Sequence, residues 1–456
     1  MPQMRMCLAL IVLAVAPVWA QEGSTSPQPV PAYGVDTSAD NTKSSGDRML
    51  TPPPVSGQTY PIAFTSEERS NYLRGGMTFT SAYTDNAVGA VNGHPVSDVS
   101  YSLAPSLALD ETTPRSHLLL TYAPGFTFYQ RLSSRNEADQ NALLEFEYRL
   151  SPYVTFSARD SVQKSSSVFN QPDLASSGGV SGGAEGANFS VNAPIADQLS
   201  NLGNLGLTCQ FSLNSMIGAA GTFTNLHYPN QAQVPGLFDS SSQAGLAFYS
   251  LRVSKINYFG ATYEYQRLIS YPTGGISETQ THAALLFYTV YPTPRLSISL
   301  FGGPQHSDSV LPAPVLPARE WTPAAGGSVS WQGQSNSFAL SYLHSIAGGG
   351  GLLGPVQLDS VNASVRQRIA KTLSGSLTGG YAQNDLLGKF VAGPSNGHSI
   401  SGTASLQQRL GQHMNLQLGY TRLHQDYSDV AVISSVPNTN REFVSLSYQF
   451  AAALGR

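Results

Sequence analysis

The segment VSYSLAPSLAL, residues 99–109, alternates two kinds of side chain. Apolar residues or proline occupy every second position from Val99 to Leu109, and serine or alanine fills the positions between them. Because successive side chains of a β-strand point to opposite faces, this period of two predicts a strand with one apolar and one polar face. A strand of a globular domain averages about 5–6 residues, whereas a tilted strand needs about 9–11 to cross a bilayer. The length of the segment therefore favours a membrane strand.

The same period recurs along the chain in about 18 segments, with 16 as the alternative count. The connections between segments alternate in length, from tight turns such as Ser151-Pro152 and Gly411-Gln412-His413 to long loops such as 85–97, 165–204 and 303–320. In an up-and-down meander, alternate connections lie at opposite ends of the sheet. Outer-membrane barrels show this asymmetry, with short periplasmic turns and long outside loops. The sequence predicts an all-β, transmembrane, antiparallel up-and-down β-barrel.

Charge is scarce in this chain. Only 11% of its 456 residues are charged, against about 25% in an ordinary soluble domain. The formal net charge of −4 leaves no basic excess for the phosphates of a nucleic acid, so no nucleic-acid partner is predicted. In a membrane barrel the apolar face turns outward, because an Arg or Lys on that face costs about 2–4 kcal/mol at mid-bilayer. Aromatic residues near both strand ends, among them Tyr148, Trp331, Tyr381 and Tyr420, fit the two interfacial girdles of such barrels.

Four parts of the chain are predicted. Residues 1–20 are expected to be a cleaved secretory signal, because Arg5 precedes the apolar run Cys7 to Ala16, which is too short to span a bilayer. Residues 21–70 are rich in Pro, Ser and Thr and are expected to form a flexible arm. The barrel is expected over residues 75–450, and residues 451–456 are expected to form a short C-terminal extension.

The barrel region resembles the porin-like outer-membrane β-barrel proteins of Gram-negative bacteria. The resemblance rests on the architecture and on the closing strand, where apolar residues alternate and end in an aromatic: Val444, Leu446, Tyr448 and Phe450. It implies an outer-membrane location, surrounding lipid, and insertion by machinery that reads the closing strand. General porins fold their third outside loop into the lumen, and the third long loop here is 165–204. It is interpreted either as an inward selectivity loop or as a mobile surface loop.

The strand charges are the candidate functional residues. With the apolar phase outward, the charged residues predicted to face the lumen are Glu145, Glu147, Arg149, Arg159, Arg252, Glu264, Arg295, Arg366 and Arg409. Matching the strands across the turn Ser151-Pro152 places Glu145 opposite Arg159, which predicts a cross-strand ion pair. The remaining inward arginines all lie within about five residues of a short turn: Arg149, Arg252, Arg295, Arg366 and Arg409. Because rings of Arg or Lys line anion pores, we expect a mild anion preference. The alternative interpretation is a set of solvated charges at the rim.

No catalytic, metal or cofactor site is predicted. Gly349, Gly351 and Gly354 match the spacing G-x-G-x-x-G, but a strand-like alternation follows them where a dinucleotide site needs a helix, so they are interpreted as a flexible loop. The sequence therefore predicts a non-enzymatic, water-filled channel for passive or weakly selective diffusion of small hydrophilic solutes. The alternatives are an export or assembly barrel for a polymer or partner, and a surface-binding barrel with a plugged lumen. Association into a homo-oligomer is left open.

Overall fold

The computed structural model describes residues 71–87, 95–165, 191, 197–272, 275–312, 317–387, 396–428, 430, 433 and 437–453. The predicted signal, arm and residues 454–456 lie outside the described residues. Two short 3-10 helices cover Ser133–Arg135 and Gln231–Gln233. The strands are β1 (Tyr72–Thr84), β2 (Asp98–Thr112), β3 (Ser116–Tyr122), β4 (Gly125–Tyr129), β5 (Glu137–Ser151), β6 (Val154–Ser165), β7 (Gln198–Gln210), β8 (Ser215–His227), β9 (Ser240–Arg252), β10 (Asn257–Ser270), β11 (Ser277–Thr293), β12 (Leu296–Val310), β13 (Ala318–Gln332), β14 (Asn336–Ala347), β15 (Val356–Arg368), β16 (Leu373–Leu386), β17 (Asn396–Leu410), β18 (Met414–Tyr427) and β19 (Asn438–Ala453).

The strands form one closed antiparallel sheet. Apart from β3 and β4, each strand pairs with its neighbours in sequence, and β19 returns to pair with β1, from Tyr72 opposite Ala453 to Thr84 opposite Arg441. Strands β3 and β4 both lie between β2 and β5, and Pro124, which has no N–H to donate, separates them. They are two halves of one interrupted strand, so the barrel has 18 strand positions. The predicted antiparallel up-and-down barrel is confirmed, and the 16-strand alternative is wrong.

The outer surface of the barrel is apolar and its inner surface is mostly polar, apart from apolar side chains such as Ala283, Leu285 and Phe287 on β11. On β1, Met77 and Phe79 are 52% and 46% exposed, whereas Thr78 and Thr80 between them are 6% and 0% exposed. The closing strand follows the same rule, because its predicted signal residues all lie on the exposed face: Val444, Leu446, Tyr448 and Phe450. A soluble barrel would bury these side chains. The inverted pattern is the one that lipid requires, and closure of the sheet leaves no unpaired edge for the bilayer to satisfy.

Several boundaries differ from the sequence prediction. Residues 303–310 and 318–320 are strand rather than loop, so the connection between β12 and β13 is only 311–317. The third long loop ends earlier than predicted, because β7 begins at Gln198. At the other end, β19 runs to Ala453, three residues past the barrel boundary predicted at 450, and Ala451 to Ala453 pair with β1.

Burial along the inner wall changes with height. On β18 the inward residues Leu423, Gln425 and Tyr427 are buried near the long-loop end, whereas Gln417 and Thr421 are only partly buried farther down. On β2 the inward residues 98–104 are buried, and Ser106 and Ala108 are partly exposed. Asp110 and Asn415, nearer the short turns, are 7% and 9% exposed, so on these two strands burial is continuous at the long-loop end and uneven toward the short turns.

Candidate functional site

The long-loop mouth contains a cluster of buried side chains, called here the mouth cluster. Its members are Val191, Leu226, Tyr228, Val234, Leu237, Tyr427, Val430 and Ile433. They come from β8 and its following loop, from β18 and its following loop, and from the third long loop. Around the barrel, seven strand positions separate β8 from β18 on one side and nine on the other. The cluster therefore joins loops rooted on opposite walls and crosses the mouth.

The end of β14 leaves the barrel wall and enters the lumen. Its pairing with β13 stops at Ala325 opposite His344, whereas its pairing with β15 continues to Ala347 opposite Val356. Beyond this point the Ile346 backbone amide donates to Gln305 Oε1 of β12, at 3.2 Å, across the intervening strand. The hairpin made by β14, residues 348–355 and β15 thus folds inward over β13. Residues 348–355 are called here the inward loop.

The inward loop reaches the loop that follows β8. The Phe238 amide donates to the Gly351 carbonyl at 2.7 Å. Gly350 and Gly351 have φ values of 60° and 105°, a region that L-residues with a side chain rarely adopt. A Cβ on Gly351 would also stand 2.6 Å from Tyr228 Oη. Only glycine fits this approach, so the glycine run allows the inward loop to close against the mouth cluster.

Leu352 attaches the inward loop to two apolar groups. It packs against the mouth cluster and against a second buried group, formed by Ala347, Val356, Leu358 and Ala382. Apolar burial contributes roughly 25 cal/mol per Å² of surface removed from water, so these contacts hold the loop across the mouth.

One polar atom buried in the mouth cluster is left unsatisfied. Tyr228 Oη is buried and has no hydrogen-bond partner among the described residues. Burial raises the pKa of the Tyr228 phenol, and the negative charge of Asp239 raises it further. The phenol is therefore neutral near pH 7.

Among the described residues, the inward loop narrows the mouth, and the sequence did not predict this role for it. The third long loop was the predicted constriction; only its residues Val191 and Asp197 are described, and Val191 lies in the mouth cluster. Residues 166–190 and 192–196 lie outside the described residues, so the position of that loop stays a prediction. The signal for the inward loop was the run from Gly348 to Gly354, which was interpreted as a flexible loop. Its glycines instead permit close packing.

Two predicted lumen charges form the expected pair. Glu145 lies opposite Arg159 in the register of β5 and β6, and Arg159 Nε lies 3.3 Å from Glu145 Oε1. The predicted ion pair is confirmed. Glu147 and Arg149 follow on the same inward face of β5, with 4.0 Å between Arg149 Nε and Glu147 Oε1. Their charges therefore largely cancel on this sector of the wall.

Sequence reasoning missed a second charged group in the same sector. Arg74 of β1 contacts Asp110 of β2, with Nη2 3.2 Å from Oδ2, and His117 Nε2 of β3 lies 3.2 Å from Asp110 Oδ1. The sequence carried a signal for Asp110. Asp110 continues the inward phase of residues 98–108, one residue beyond the segment 99–109 that predicted the strand.

Several arginines near the short turns have no such acidic partner. Arg252, Arg366 and Arg409 lie on the inward phase of β9, β15 and β17, and Arg368 extends the group on β15. None of these four makes an ion pair with another described residue, although Arg409 Nε donates to the Gly411 carbonyl at 3.2 Å. Arg295 does not belong to the group. It lies in the exposed turn between β11 and β12, because β11 runs on to Thr293, and its predicted position on an inward strand face is wrong.

Glu264 lies apart from the other predicted lumen charges. It is on the inward phase of β10 and only 6% exposed, and its Oε1 accepts a hydrogen bond from Gln266 Nε2. Thr281 Oγ1 of β11 donates to Gln266 Oε1 at 3.4 Å. The structure therefore places Glu264 in a hydrogen-bonded polar patch of the inner wall, away from the arginines near the short turns.

No group of three or more His, Cys, Asp or Glu side chains among the described residues is placed to hold a metal ion. None of the described helices is long and apolar enough to cross a membrane.

Comparison with known proteins finds similar solved structures, although no family model and no curated protein matches the sequence. OccAB4 of Acinetobacter baumannii is 9% identical, with 84% of this chain and 99% of that chain covered and a TM-score of 0.41. The outer membrane protein OpdK of Pseudomonas aeruginosa is 10% identical, with 83% and 99% covered and a TM-score of 0.41. OccK2 (OpdF) of Pseudomonas aeruginosa, solved in complex with glucuronate, is 10% identical, with 83% and 98% covered and a TM-score of 0.42.

Proposed function

We propose that this chain forms a water-filled channel in the outer membrane of a Gram-negative bacterium, for passive or weakly selective diffusion of small hydrophilic solutes. The observation that carries the proposal is the inverted polarity of a closed 18-position barrel, apolar outside and mostly polar inside. A barrel of this strand number is wide enough for an aqueous lumen. The exposed aromatic and aliphatic residues of the closing strand support insertion from the periplasm, which an N-terminal signal at residues 1–20 would permit.

The inward loop and the mouth cluster limit what passes. Because apolar side chains from opposite walls meet at the mouth, we propose a narrow opening there and a wider vestibule toward the short turns. The same observation favours the second candidate, a surface-binding barrel whose lumen stays plugged. Planar-bilayer recording of the purified full chain distinguishes them. A channel gives discrete conductance steps that persist at low voltage, and a plugged barrel gives none.

We also propose that the lower wall favours anions mildly. The sector from β1 to β6 contains paired charges, whereas Arg252, Arg366, Arg368 and Arg409 lack acidic partners among the described residues. Uncompensated cations along a pore raise the local concentration of anions. The excess of arginine near the short turns is therefore the feature that would set the sign of selectivity.

Replacing Arg252, Arg366 and Arg409 by Gln is expected to move the reversal potential in a KCl gradient toward that of a cation-selective pore. The matched control replaces Glu145 and Arg159 together by Gln, which removes two lumen charges and leaves the net charge unchanged, so the reversal potential should stay near that of the parent. Cation selectivity of the parent chain, or an unchanged potential in the triple variant, would contradict the proposal.

A further inference from the structure

Two histidines face each other on the outer surface of the barrel, near the long loops. His398 lies at the start of β17 and His424 near the end of β18, both on the outward phase of their strands. Their ring centroids are 5.3 Å apart, and the ring planes make an angle of 44°. Two imidazoles that bind one tetrahedral ion through bonds of about 2.0–2.1 Å also place their ring centres about 5 Å apart.

If Tyr420 is a girdle aromatic, we expect the pair to lie beyond the hydrocarbon region. Tyr420, on the same face of β18 and one of the predicted girdle aromatics, is four residues nearer the short turns than His424. At about 3.3 Å of rise per residue along a tilted strand, this separation puts the histidines in the aqueous or headgroup layer. A hydrated ion can reach them there without entering lipid.

Hydrogen bonding assigns the tautomer of His424. Asn438 Oδ1 accepts from Arg422 Nη2 at 3.4 Å and contacts His424 Nδ1 at 3.2 Å. A guanidinium only donates, so the shared amide atom must be the oxygen. His424 Nδ1 therefore donates in this contact, and in the neutral ring the lone pair is on Nε2. This outer-sphere arrangement is typical of a histidine that binds a metal through the other nitrogen.

We propose that His398 and His424 bind one divalent transition-metal ion of the zinc type, with water completing its coordination. Imidazole nitrogen suits zinc, copper and nickel, so the donor set selects this class over calcium or magnesium. Asp426 lies directly opposite His398 in the register and is exposed. The negative charge of the Asp426 carboxylate attracts a divalent cation to this surface and offsets the positive charge of Arg422.

The other outward histidines near the long loops differ from this pair. His282 Nδ1 is 2.7 Å from Tyr263 Oη, and His344 Nδ1 is 2.8 Å from Asp359 Oδ1. His306 lies opposite His282 but packs on Trp321, with ring centroids 4.9 Å apart. Because its ring contacts an aromatic partner instead of a second histidine, His306 provides the matched control.

Binding of the metal ion would stabilise the long-loop mouth of the barrel. Tyr427 follows Asp426 directly, belongs to the mouth cluster and packs over Gly397, which precedes His398. An ion that bridges β17 and β18 therefore joins the two strands beside the loop that carries Val430 and Ile433. We expect the bound ion to raise the thermal stability of this end of the barrel, since a ligand that binds only the folded state stabilises it.

The test titrates Zn²⁺ alone into the tag-free full chain in detergent, using isothermal calorimetry. One equivalent is expected for the parent chain and for His306→Ala, and none at this site for His398→Ala or His424→Ala. Asn438→Ala should weaken binding by about tenfold, as loss of an outer-sphere partner commonly does. In parallel, saturating Zn²⁺ should raise the unfolding temperature of the parent and of His306→Ala only.

Each variant is first checked for the sheet signal in circular dichroism and for the altered electrophoretic mobility of a folded barrel. These measurements separate loss of ligand from loss of fold. Binding that persists in both His398→Ala and His424→Ala overturns the proposal. It is also overturned if His306→Ala weakens binding as much as they do, or if the parent binds no Zn²⁺.

Discussion

Deleting residues 350–353 is expected to raise single-channel conductance severalfold. The deletion joins Gly349 to Gly354 and leaves a four-residue connection between β14 and β15, long enough for a hairpin. It removes Leu352 from both apolar groups and the Gly351 carbonyl from Phe238. Without these contacts, the tip of the hairpin no longer reaches the wall at β8, and the cross-section of the mouth increases.

Two neighbouring leucines give a matched pair of point variants for the same idea. Leu352 packs against the mouth cluster, whereas Leu353 is absent from both apolar groups, so Leu352→Ser should raise conductance and Leu353→Ser should change it little. Planar-bilayer recording at fixed salt measures both variants. Equal conductance of the parent, the deletion and Leu352→Ser would show that the inward loop does not limit flow.

Replacing Gly303 by Ala is expected to destabilise the barrel strongly. A Cβ at this position would stand 2.0 Å from the Ala284 carbonyl oxygen and 3.0 Å from Leu285 Cα. Both are backbone atoms, so no rotamer change relieves the overlap, and β11 and β12 must separate locally. Overpacking costs about 1–3 kcal/mol, and the loss of ladder hydrogen bonds adds to it. Urea unfolding from detergent micelles, followed by tryptophan fluorescence, measures the loss.

Gly245 of β9 is the control for this substitution. A Cβ there meets nothing within 4 Å, so Gly245→Ala should leave the free energy of unfolding within about 0.5 kcal/mol of the parent. If Gly303→Ala unfolds at the same urea concentration as Gly245→Ala, the close approach of β12 to β11 is not a constraint on the fold.

The parts of the strands that cross the bilayer could be predicted because lipid imposes one chemistry on one face. Val99 to Leu109 and Val444 to Phe450 alternate for that reason, and the strand count follows. Beyond the bilayer both faces of a strand meet water, and the period of two fades. The end of β12 shows the effect, because Gln305, His306, Ser307 and Asp308 alternate in direction but not in polarity. Pro304 lies in the range that was predicted to be a loop, yet the strand accommodates it opposite Pro323.

The mouth could not be predicted from local pattern. Tyr228, Leu352 and Val430 are brought together only by closure of the barrel, and none lies in a segment with a period. The ion pair of the lower wall could be predicted, because a two-residue turn joins the strands that carry Glu145 and Arg159 and fixes their register. Sequence reasoning thus recovers contacts across a hairpin but not contacts across the lumen.

The most direct test of the channel proposal is solute entry into liposomes that contain the purified full chain. Swelling in isotonic solutions of neutral sugars reports permeation without the complication of charge. A channel narrowed by the mouth cluster predicts rapid swelling with a pentose such as arabinose, slow swelling with a tetrasaccharide such as stachyose, and a smaller difference after deletion of residues 350–353. Liposomes with folded barrel that swell no faster than protein-free liposomes, with any sugar and with either form of the chain, would contradict it.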